Sequence, residues 1–295
     1  MELTGVRVLA LGTRGAQGTG LVEALRGRGA VPVLGSSDEA QVSAWREAGQ
    51  EAVLADLRRP GTIRAAAAQV PAVVLHRPVS MGAPHDAAAV EESIAAAREA
   101  GAVVAVNVGS PVPSPGAPDP FGVGVRIKAL GELGVAIVAP TAYLDNHAAP
   151  WALGPLHQGE LIYPRPPQDV LAWVAARDMT AAAVAALAAD LSGEVLQLAG
   201  PQALTFEQLA AEIGAGLGRE ITFRRVTPEE FGELLRPVLG PQAAAGVSGG
   251  YASMPEESNP AMAPDASAAW QRLGVQPTTA RDWAASTLAP LLSAH

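Results

Sequence analysis

Short apolar segments alternate with longer amphipathic segments through the first half of the chain. The apolar segments predict strands at residues 7–11, 31–34, 52–55, 72–75, 103–108 and 135–139. The segments between them predict helices at residues 19–27, 37–48, 62–69 and 86–100. Strands that are apolar throughout and alternate with helices are typical of a parallel sheet with helices on both faces. We therefore predict an α/β fold built on a doubly wound parallel sheet.

The second half of the chain predicts a smaller and mostly helical region. We expect helices at residues 178–191, from the capping box at 205–208 to Gly218, after Thr227 and near Thr279, with a strand at 195–198. Residues 241–265 are rich in Ala, Gly, Ser and Pro, and this composition predicts a long mobile loop.

Composition and charge narrow the function classes. The chain has 295 residues, enough for one large domain or two small ones. Its formal net charge of −9 disfavours direct binding of DNA or RNA, and its lack of cysteine excludes disulfides and thiol catalysis. We find no apolar segment long enough to cross a membrane and no signal peptide, so we expect a cytoplasmic protein. The five histidines lack metal-ligand spacing, and no metal site is predicted.

A glycine-rich segment directly after the first strand is the main candidate site. Glycines in this position allow a tight turn and let the backbone approach a pyrophosphate closely. At the end of the third strand, Asp56 and Leu57 can reach an adenine ring or its ribose. The glycine-rich segment consists of Gly12, Thr13, Arg14, Gly15, Ala16, Gln17 and Gly18. These residues predict a dinucleotide site, and a structural turn without a ligand is the alternative.

The end of the second strand bears on the choice between NAD and NADP. NAD sites place an acid there, whereas NADP sites use a nearby arginine. Ser36 and Ser37 can donate hydrogen bonds to a 2′-phosphate, with Arg14 as the cation. Asp38 follows them and also fits the first turn of the next helix. The residues favour NADP slightly, and NAD remains open.

Further segments follow the glycine loop with an ordered spacing. Asp56-Leu57 is followed by Ile63 and Ala66, and then come residues 134–146, 178–181, 198–201 and 217–219. Together with Gln17 of the loop, these segments resemble the NmrA-like branch of the atypical short-chain dehydrogenases/reductases. The resemblance covers almost the whole chain. It implies an NAD(P)-binding Rossmann domain at residues 1–150, to which residues 175–200 return, and a smaller C-terminal subdomain for substrate or partner at residues 151–174 and 201–295.

The resemblance and the end of the fourth strand indicate further site residues. Pro140 and Thr141 lie in a segment similar to the family segment that turns under the nicotinamide. The fourth strand ends in His76-Arg77, at the edge of the sheet where ligands bind in open α/β folds. We therefore expect these four residues to contact the cofactor.

Catalytic residues are harder to assign, because the chain departs from the wider superfamily. That superfamily uses a tyrosine and a lysine four residues later, but residues 118–133 contain no tyrosine. Lys128 is the only lysine in the chain, and its position also fits an exposed helical residue. The candidates for orienting a substrate or donating a proton are Tyr143, His76 and Ser110, each with a structural role as the alternative.

Two functions follow from the resemblance. The first is an NAD(P)H-dependent oxidoreductase that transfers a hydride to a small apolar carbonyl or quinone. The second is a dinucleotide-binding redox sensor that contacts a protein partner and does not turn over. For either function we expect a monomer or homodimer without direct nucleic-acid or membrane binding.

Overall fold

A computed structural model describes residues 1–14, 18, 20–76, 84–113 and 122–293, with residues 84–87 described by their backbone alone. The strands are β1 (Arg7–Leu11), β2 (Val31–Ser36), β3 (Ala52–Leu54), β4 (Ala72–His76), β5 (Val103–Asn107), β6 (Ala136–Pro140), β7 (Ala142–Tyr143), β8 (Glu160–Tyr163), β9 (Val170–Leu171), β10 (Trp173–Val174), β11 (Val195–Leu198), β12 (Leu204–Thr205) and β13 (Thr222–Arg225).

Helices connect these strands. They are α1 (Leu21–Gly27), α2 (Glu39–Glu47), α3 (Pro60–Ala67), α4 (Pro84–Glu99), α5 (Val123–Glu132), α6 (Pro150–His157), α7 (Ala176–Ala188), α8 (Phe206–Leu217), α9 (Pro228–Leu239), α10 (Pro241–Ala252), α11 (Ser267–Leu273), α12 (Ala280–Trp283) and α13 (Ala289–Ser293). Within the described ranges, no helix is long and apolar enough to cross a membrane.

The chain divides into two compact units. Unit 1 comprises Met1–Pro140, Ala176–Leu198 and Ser267–Gln276, and unit 2 comprises Thr141–Ala175, Ala199–Ala266 and Pro277–His295. The assignment of a dinucleotide to the first part of the chain and of a substrate or partner to the second stays a prediction.

Unit 1 contains a parallel sheet. Among the described residues, seven strands pair in the order β3-β2-β1-β4-β5-β6-β11, and every neighbouring pair is parallel. The strand order reverses between β1 and β4, and ligands bind at the carboxyl ends of strands at such a switch point. The predicted α/β fold with a doubly wound Rossmann sheet is confirmed.

Helices bury both faces of the sheet. On one face, Ile63 of α3, Ile94 of α4 and Leu130 of α5 share a core with alternate strand residues such as Leu9 and Val106. On the other face, α7 packs against β4, β5 and β6, and α1 packs against α7. The alternation follows because successive strand residues point to opposite faces. Burial on both faces explains why the strands read as continuous apolar segments.

Unit 2 is mostly helical around an aromatic core. Phe206, Trp173 and Trp283 are each at most 2% exposed. Two capping boxes start its helices: Thr205 accepts a hydrogen bond from the Gln208 N–H at the start of α8, and Thr227 does the same with Glu230 at α9. Gly218 ends α8 with φ +67°, in the left-handed region. These helix starts and this helix end are confirmed.

The prediction of a mobile loop at residues 241–265 is wrong for residues 241–252. Residues 241–252 form α10, which starts with Pro241 at its first turn and packs along α9. Gly232 of α9 permits the close approach, because an added Cβ there would lie 2.9 Å from the Cβ of Ser248. The Ser248 hydroxyl donates to the Pro228 carbonyl at 2.8 Å. Tertiary packing therefore offsets the low helix propensity of the glycines in this segment.

Residues of α9 that pack in the aromatic core should stabilise unit 2 more than residues of α9 that face solvent. Phe231 is 3% exposed and contacts Trp151, Tyr163 and Tyr251, whereas Leu239 in the same helix is 44% exposed. We expect Phe231→Ala to lower the free energy of unfolding by about 3–5 kcal/mol, because it leaves a cavity. Leu239→Ala is the matched control and should change it by less than about 0.5 kcal/mol. Urea denaturation measures both, and equal losses would contradict the packing.

Candidate functional site

The turn after β1 is built by close backbone contacts that glycine alone permits. Gly12 has φ +82°, and a Cβ added there would lie 2.9 Å from the carbonyl oxygen of His76. A Cβ added at Gly18 would lie 1.9 Å from the carbonyl oxygen of Gly12. The first and last glycines of the predicted loop therefore bring its two ends together beside the carboxyl end of β4. This is the β1/β4 position where the strand order reverses.

A cavity of about 410 Å³ opens beside this turn in unit 1. Seven residues that the sequence singled out line it: Gly12, Thr13, Arg14, Ser36, Ser37, Asp56 and Leu57. It is also lined by residues that were not predicted: Leu11, Gly35, Trp45, Ala55, Arg58 and Val90. Its volume lies within the range of small-molecule sites.

Ser36 ends β2 and Ser37 follows it, and both line the cavity, whereas the carboxylate of the next residue caps a helix. Asp38 is the N-cap of α2, where its carboxylate accepts hydrogen bonds from the backbone N–H groups of Ala40 at 3.0 Å and Gln41 at 3.4 Å. The Ser36 hydroxyl oxygen accepts from the Asp38 N–H at 3.1 Å and keeps its own hydrogen as a donor. The end of β2 thus presents hydroxyl groups to the cavity, while the Asp38 carboxylate is used in capping.

Arg14 is exposed in the glycine turn and is oriented by α2. Its Nη1 donates to the side-chain oxygen of Gln41 at 2.9 Å. Gln41 lies one helical turn before Trp45, another residue that lines the cavity. Helix α2 therefore contributes an aromatic wall and positions a cation from the neighbouring turn.

Asp56 lies at the start of the turn after β3 and is held by two arginines. Its side chain is 8% exposed and accepts hydrogen bonds from Arg58 Nε at 3.1 Å and Nη2 at 3.2 Å. Arg59 Nε lies 3.7 Å from Oδ2 of the same carboxylate. Burial alone would raise the pKa of Asp56, but the hydrogen bonds from Arg58 and the charges of both arginines outweigh it and lower the pKa. Asp56 is therefore ionised and charge-compensated at neutral pH.

His76 and Ser110 lie at the same edge of the sheet. His76 ends β4, is 7% exposed and pairs in register with Asn107 of β5, three residues before Ser110. Burial lowers the pKa of His76 to about 4, so the imidazole is neutral at pH 7. Ser110 is half-buried in the segment after β5. Gly15, Ala16, Gln17 and Arg77 lie outside the described residues.

The remaining predicted residues follow β6. Pro140 ends β6, and Thr141 and Tyr143 belong to unit 2. The Thr141 hydroxyl donates to the carbonyl of Ala172, and Tyr143 is buried on β7 beside Val174 of β10. Lys128 is exposed on α5. The roles of these residues stay predictions.

Comparisons with known proteins were made for the whole chain. No family model matches it. An NAD(P)H azoreductase from Xenophilus azovorans is 27% identical over 216 residues, which cover 70% of this chain and 73% of that protein. An NADPH-dependent quinone oxidoreductase from Escherichia coli, solved with NADPH, superposes with a TM-score of 0.66 at 21% identity, covering 97% of this chain and 99% of that chain.

The structure of NmrA, a negative transcriptional regulator solved in complex with NAD, is similar over almost its full length. It superposes with a TM-score of 0.70 at 16% identity and covers 99% of this chain and 98% of that chain. The chain has an NmrA-like fold. The fold that the resemblance implies is confirmed.

Sequence reasoning missed Trp45 and Arg58 in this NmrA-like fold. Arg58 directly follows the Asp56-Leu57 pair, so its proximity to the site could have been read from the sequence. Trp45 is nine residues after Ser36, and only the rotation of α2 about its axis turns it to the cavity. No local motif predicts that rotation.

A second buried histidine lies in unit 2. His147 is 0% exposed, and neither of its ring nitrogens has a hydrogen-bond partner among the described residues. Its ring centroid lies 4.9 Å from that of Trp173 and 5.7 Å from that of Tyr163. Burial lowers the pKa of His147 to about 3, so the ring is neutral in the folded protein. The described residues contain no group of three or more metal-binding side chains.

Two alanine variants separate the destabilisation caused by the close contact with β4 from the destabilisation caused by backbone strain. Gly12 and Gly5 both have positive φ, but a Cβ at Gly5 would meet nothing within 4 Å. We expect Gly5→Ala to lower the free energy of unfolding by about 1–2 kcal/mol through strain alone. Gly12→Ala should lower it by about 1–3 kcal/mol more, because the methyl group meets the His76 carbonyl. Urea denaturation of both variants is the measurement, and equal losses would refute the close contact.

The buried His147 predicts a pH dependence of stability. Its folded pKa of about 3 lies below the ordinary value of 6.5, so the unfolded chain binds one more proton between these two values. Stability should therefore fall as the pH falls below about 6.5, by up to about 1.4 kcal/mol per pH unit from this group.

Two histidine variants separate the contribution of His147 from the rest of the pH dependence of stability. His147→Phe removes the titrating group, so its stability should fall less steeply than that of the wild type between pH 6 and pH 4.5, as measured by urea denaturation across the range. The control is His157→Gln, which replaces an exposed histidine at the end of α6 and tests whether the loss of any histidine has the same effect. An unchanged slope in His147→Phe would contradict a neutral buried ring.

Proposed function

We propose that the protein binds NADP(H) in the unit 1 cavity and transfers a hydride to a small carbonyl or quinone acceptor. The observation that carries the proposal is the glycine turn, which packs against the end of β4 where the strand order reverses and opens onto a cavity. In α/β sheets this position is a nucleotide site.

The cavity residues fit the adenosine half of a dinucleotide. The glycine turn lets the backbone approach a pyrophosphate, and Leu57 and Val90 provide an apolar surface for adenine. Ser36, Ser37 and Arg14 supply donors for a 2′-phosphate. An acid that would prefer the ribose hydroxyls of NAD is missing from the described lining at the end of β2, because Asp38 caps α2. These features favour NADP over NAD.

Bound NADPH would supply the hydride, and the protein would supply binding and orientation. The relative from Xenophilus azovorans is named for azo reduction, and the Escherichia coli structure is named for quinone reduction. Both kinds of acceptor are conjugated groups that take up a hydride equivalent together with a proton. His76, Tyr143 and Ser110 are the candidates for orienting the acceptor or donating that proton. His76 would act as a neutral hydrogen-bonding group, since its pKa is about 4.

A redox sensor that regulates a protein partner is the second candidate. The similar structure of NmrA is that of a negative transcriptional regulator solved with NAD. The exposed Lys128 and the lack of tyrosine in residues 118–133 also favour a binding protein over the usual catalytic pair of the superfamily. Under this proposal the dinucleotide binds without turnover and changes the affinity for the partner.

Calorimetric titration of the protein with NADPH, NADP, NADH and NAD tests the nucleotide site. We expect a dissociation constant of about 1 μM or tighter for NADPH, and binding about tenfold weaker for NADH. Failure to bind any of the four nucleotides would overturn both candidate functions.

The two candidate functions are then separated with the preferred reduced nucleotide. Oxidation of NADPH is followed at 340 nm with a benzoquinone, an azo dye and an aromatic aldehyde as acceptors. Turnover with one of them supports the oxidoreductase. Tight binding without turnover, together with capture of a protein that depends on the nucleotide, supports the sensor.

A further inference from the structure

Arg58 is a second cation at the cavity, placed by a fixed carboxylate. It lines the cavity together with Arg14, Ser36 and Ser37, and no sequence motif assigns it a role. Its Nε and Nη2 bind the two oxygens of Asp56 at 3.1 Å and 3.2 Å. A guanidinium carries its N–H donors in a rigid plane, so a carboxylate held on one edge orients the whole group.

The charges around Arg58 favour an anion. Among the described residues that line the cavity, the one acidic residue is Asp56. The positive charges of Arg58 and Arg59 compensate its carboxylate. Arg14 adds a further positive charge from the glycine turn, where Gln41 holds it. Because the serine hydroxyls lie in the same wall, the wall combines planar cations with short neutral donors. This combination suits a phosphate monoester dianion.

We propose that Arg58 is a specificity-determining residue that binds the 2′-phosphate of NADP(H) together with Arg14. The inference rests on the proposed binding of NADP(H) in this cavity and names a residue beyond the glycine turn and the end of β2. Asp56 is the positioning group: its carboxylate fixes the guanidinium plane before the ligand arrives, which reduces the side-chain entropy lost on binding.

Arg59 provides a matched control for Arg58. Arg58 and Arg59 come two and three residues after Asp56, both pair with its carboxylate, and their side chains are 63% and 74% exposed. Arg58 lines the cavity, and Arg59 is not among the described lining residues. Arg58→Gln and Arg59→Gln therefore remove the same charge beside the same carboxylate. A difference in ligand affinity between the two variants would therefore report direct contact of Arg58 with the ligand, and not the loss of a positive charge near the cavity.

The probes are adenosine 2′,5′-bisphosphate and 5′-AMP, which differ by the 2′-phosphate alone. The wild type should bind the bisphosphate at least about tenfold more tightly. Arg58→Gln should reduce this preference about tenfold while changing the affinity for 5′-AMP by less than about twofold, and Arg59→Gln should preserve most of the preference. The double variant Arg14→Gln, Arg58→Gln should bind the two probes about equally well.

Each other outcome has a separate meaning. A wild type that binds neither probe overturns the proposed nucleotide site and the role of Arg58 with it. Binding of both probes with equal affinity leaves the nucleotide site standing and overturns the 2′-phosphate contact. Equal losses in Arg58→Gln and Arg59→Gln also overturn the contact. Inorganic phosphate titrated alone is the last arm, and binding as tight as that of the bisphosphate would show a general phosphate site in place of a nucleotide-specific one.

Discussion

The backbone of Gly12 lies so close to β4 that a methyl group there would stand 2.9 Å from the His76 carbonyl oxygen. Gly18 in turn lies against the Gly12 carbonyl, where a methyl group would stand 1.9 Å away. These two contacts hold the ends of the glycine turn at the strand reversal, and the cavity of unit 1 opens beside them. A side chain at either position would have to displace backbone atoms, which cannot move aside as a flexible side chain can. The shape of the site therefore depends on glycine at both positions.

Around that turn, local hydrogen bonds determine which charges reach the cavity. The chain carries a net charge of −9, yet both acids nearest the site are compensated: Asp38 by the N-terminal amides of α2, and Asp56 by Arg58 and Arg59. Arg14 is oriented by Gln41. The result is a locally cationic wall on an acidic protein, an arrangement that attracts an anionic ligand to one place and disfavours general binding of polyanions.

Unit 2 depends on a different kind of contact. Its core is a set of aromatic rings, among which His147 is fully buried and neutral. Burying a neutral imidazole disfavours its protonation, so this core links the stability of unit 2 to pH. Helix α10 completes the aromatic cluster through Tyr251, whose hydroxyl is hydrogen-bonded to that of Tyr163 at 2.6 Å.

Local sequence patterns predict the features that depend on neighbours along the chain. Strands β1 to β6 follow from apolar segments that a sheet buried on both faces requires, the starts of α8 and α9 follow from capping boxes, and the glycine turn follows from the spacing of Gly12 and Gly18. Residues 241–252 are helical because their helix packs on α9, and their local propensity does not predict a helix. Packing likewise places Trp45 at the cavity, since the rotation of α2 sets the direction of that side chain. The nearness of Arg58 to the site can be read from the sequence, but only its ion pair with Asp56 sets the direction of its guanidinium.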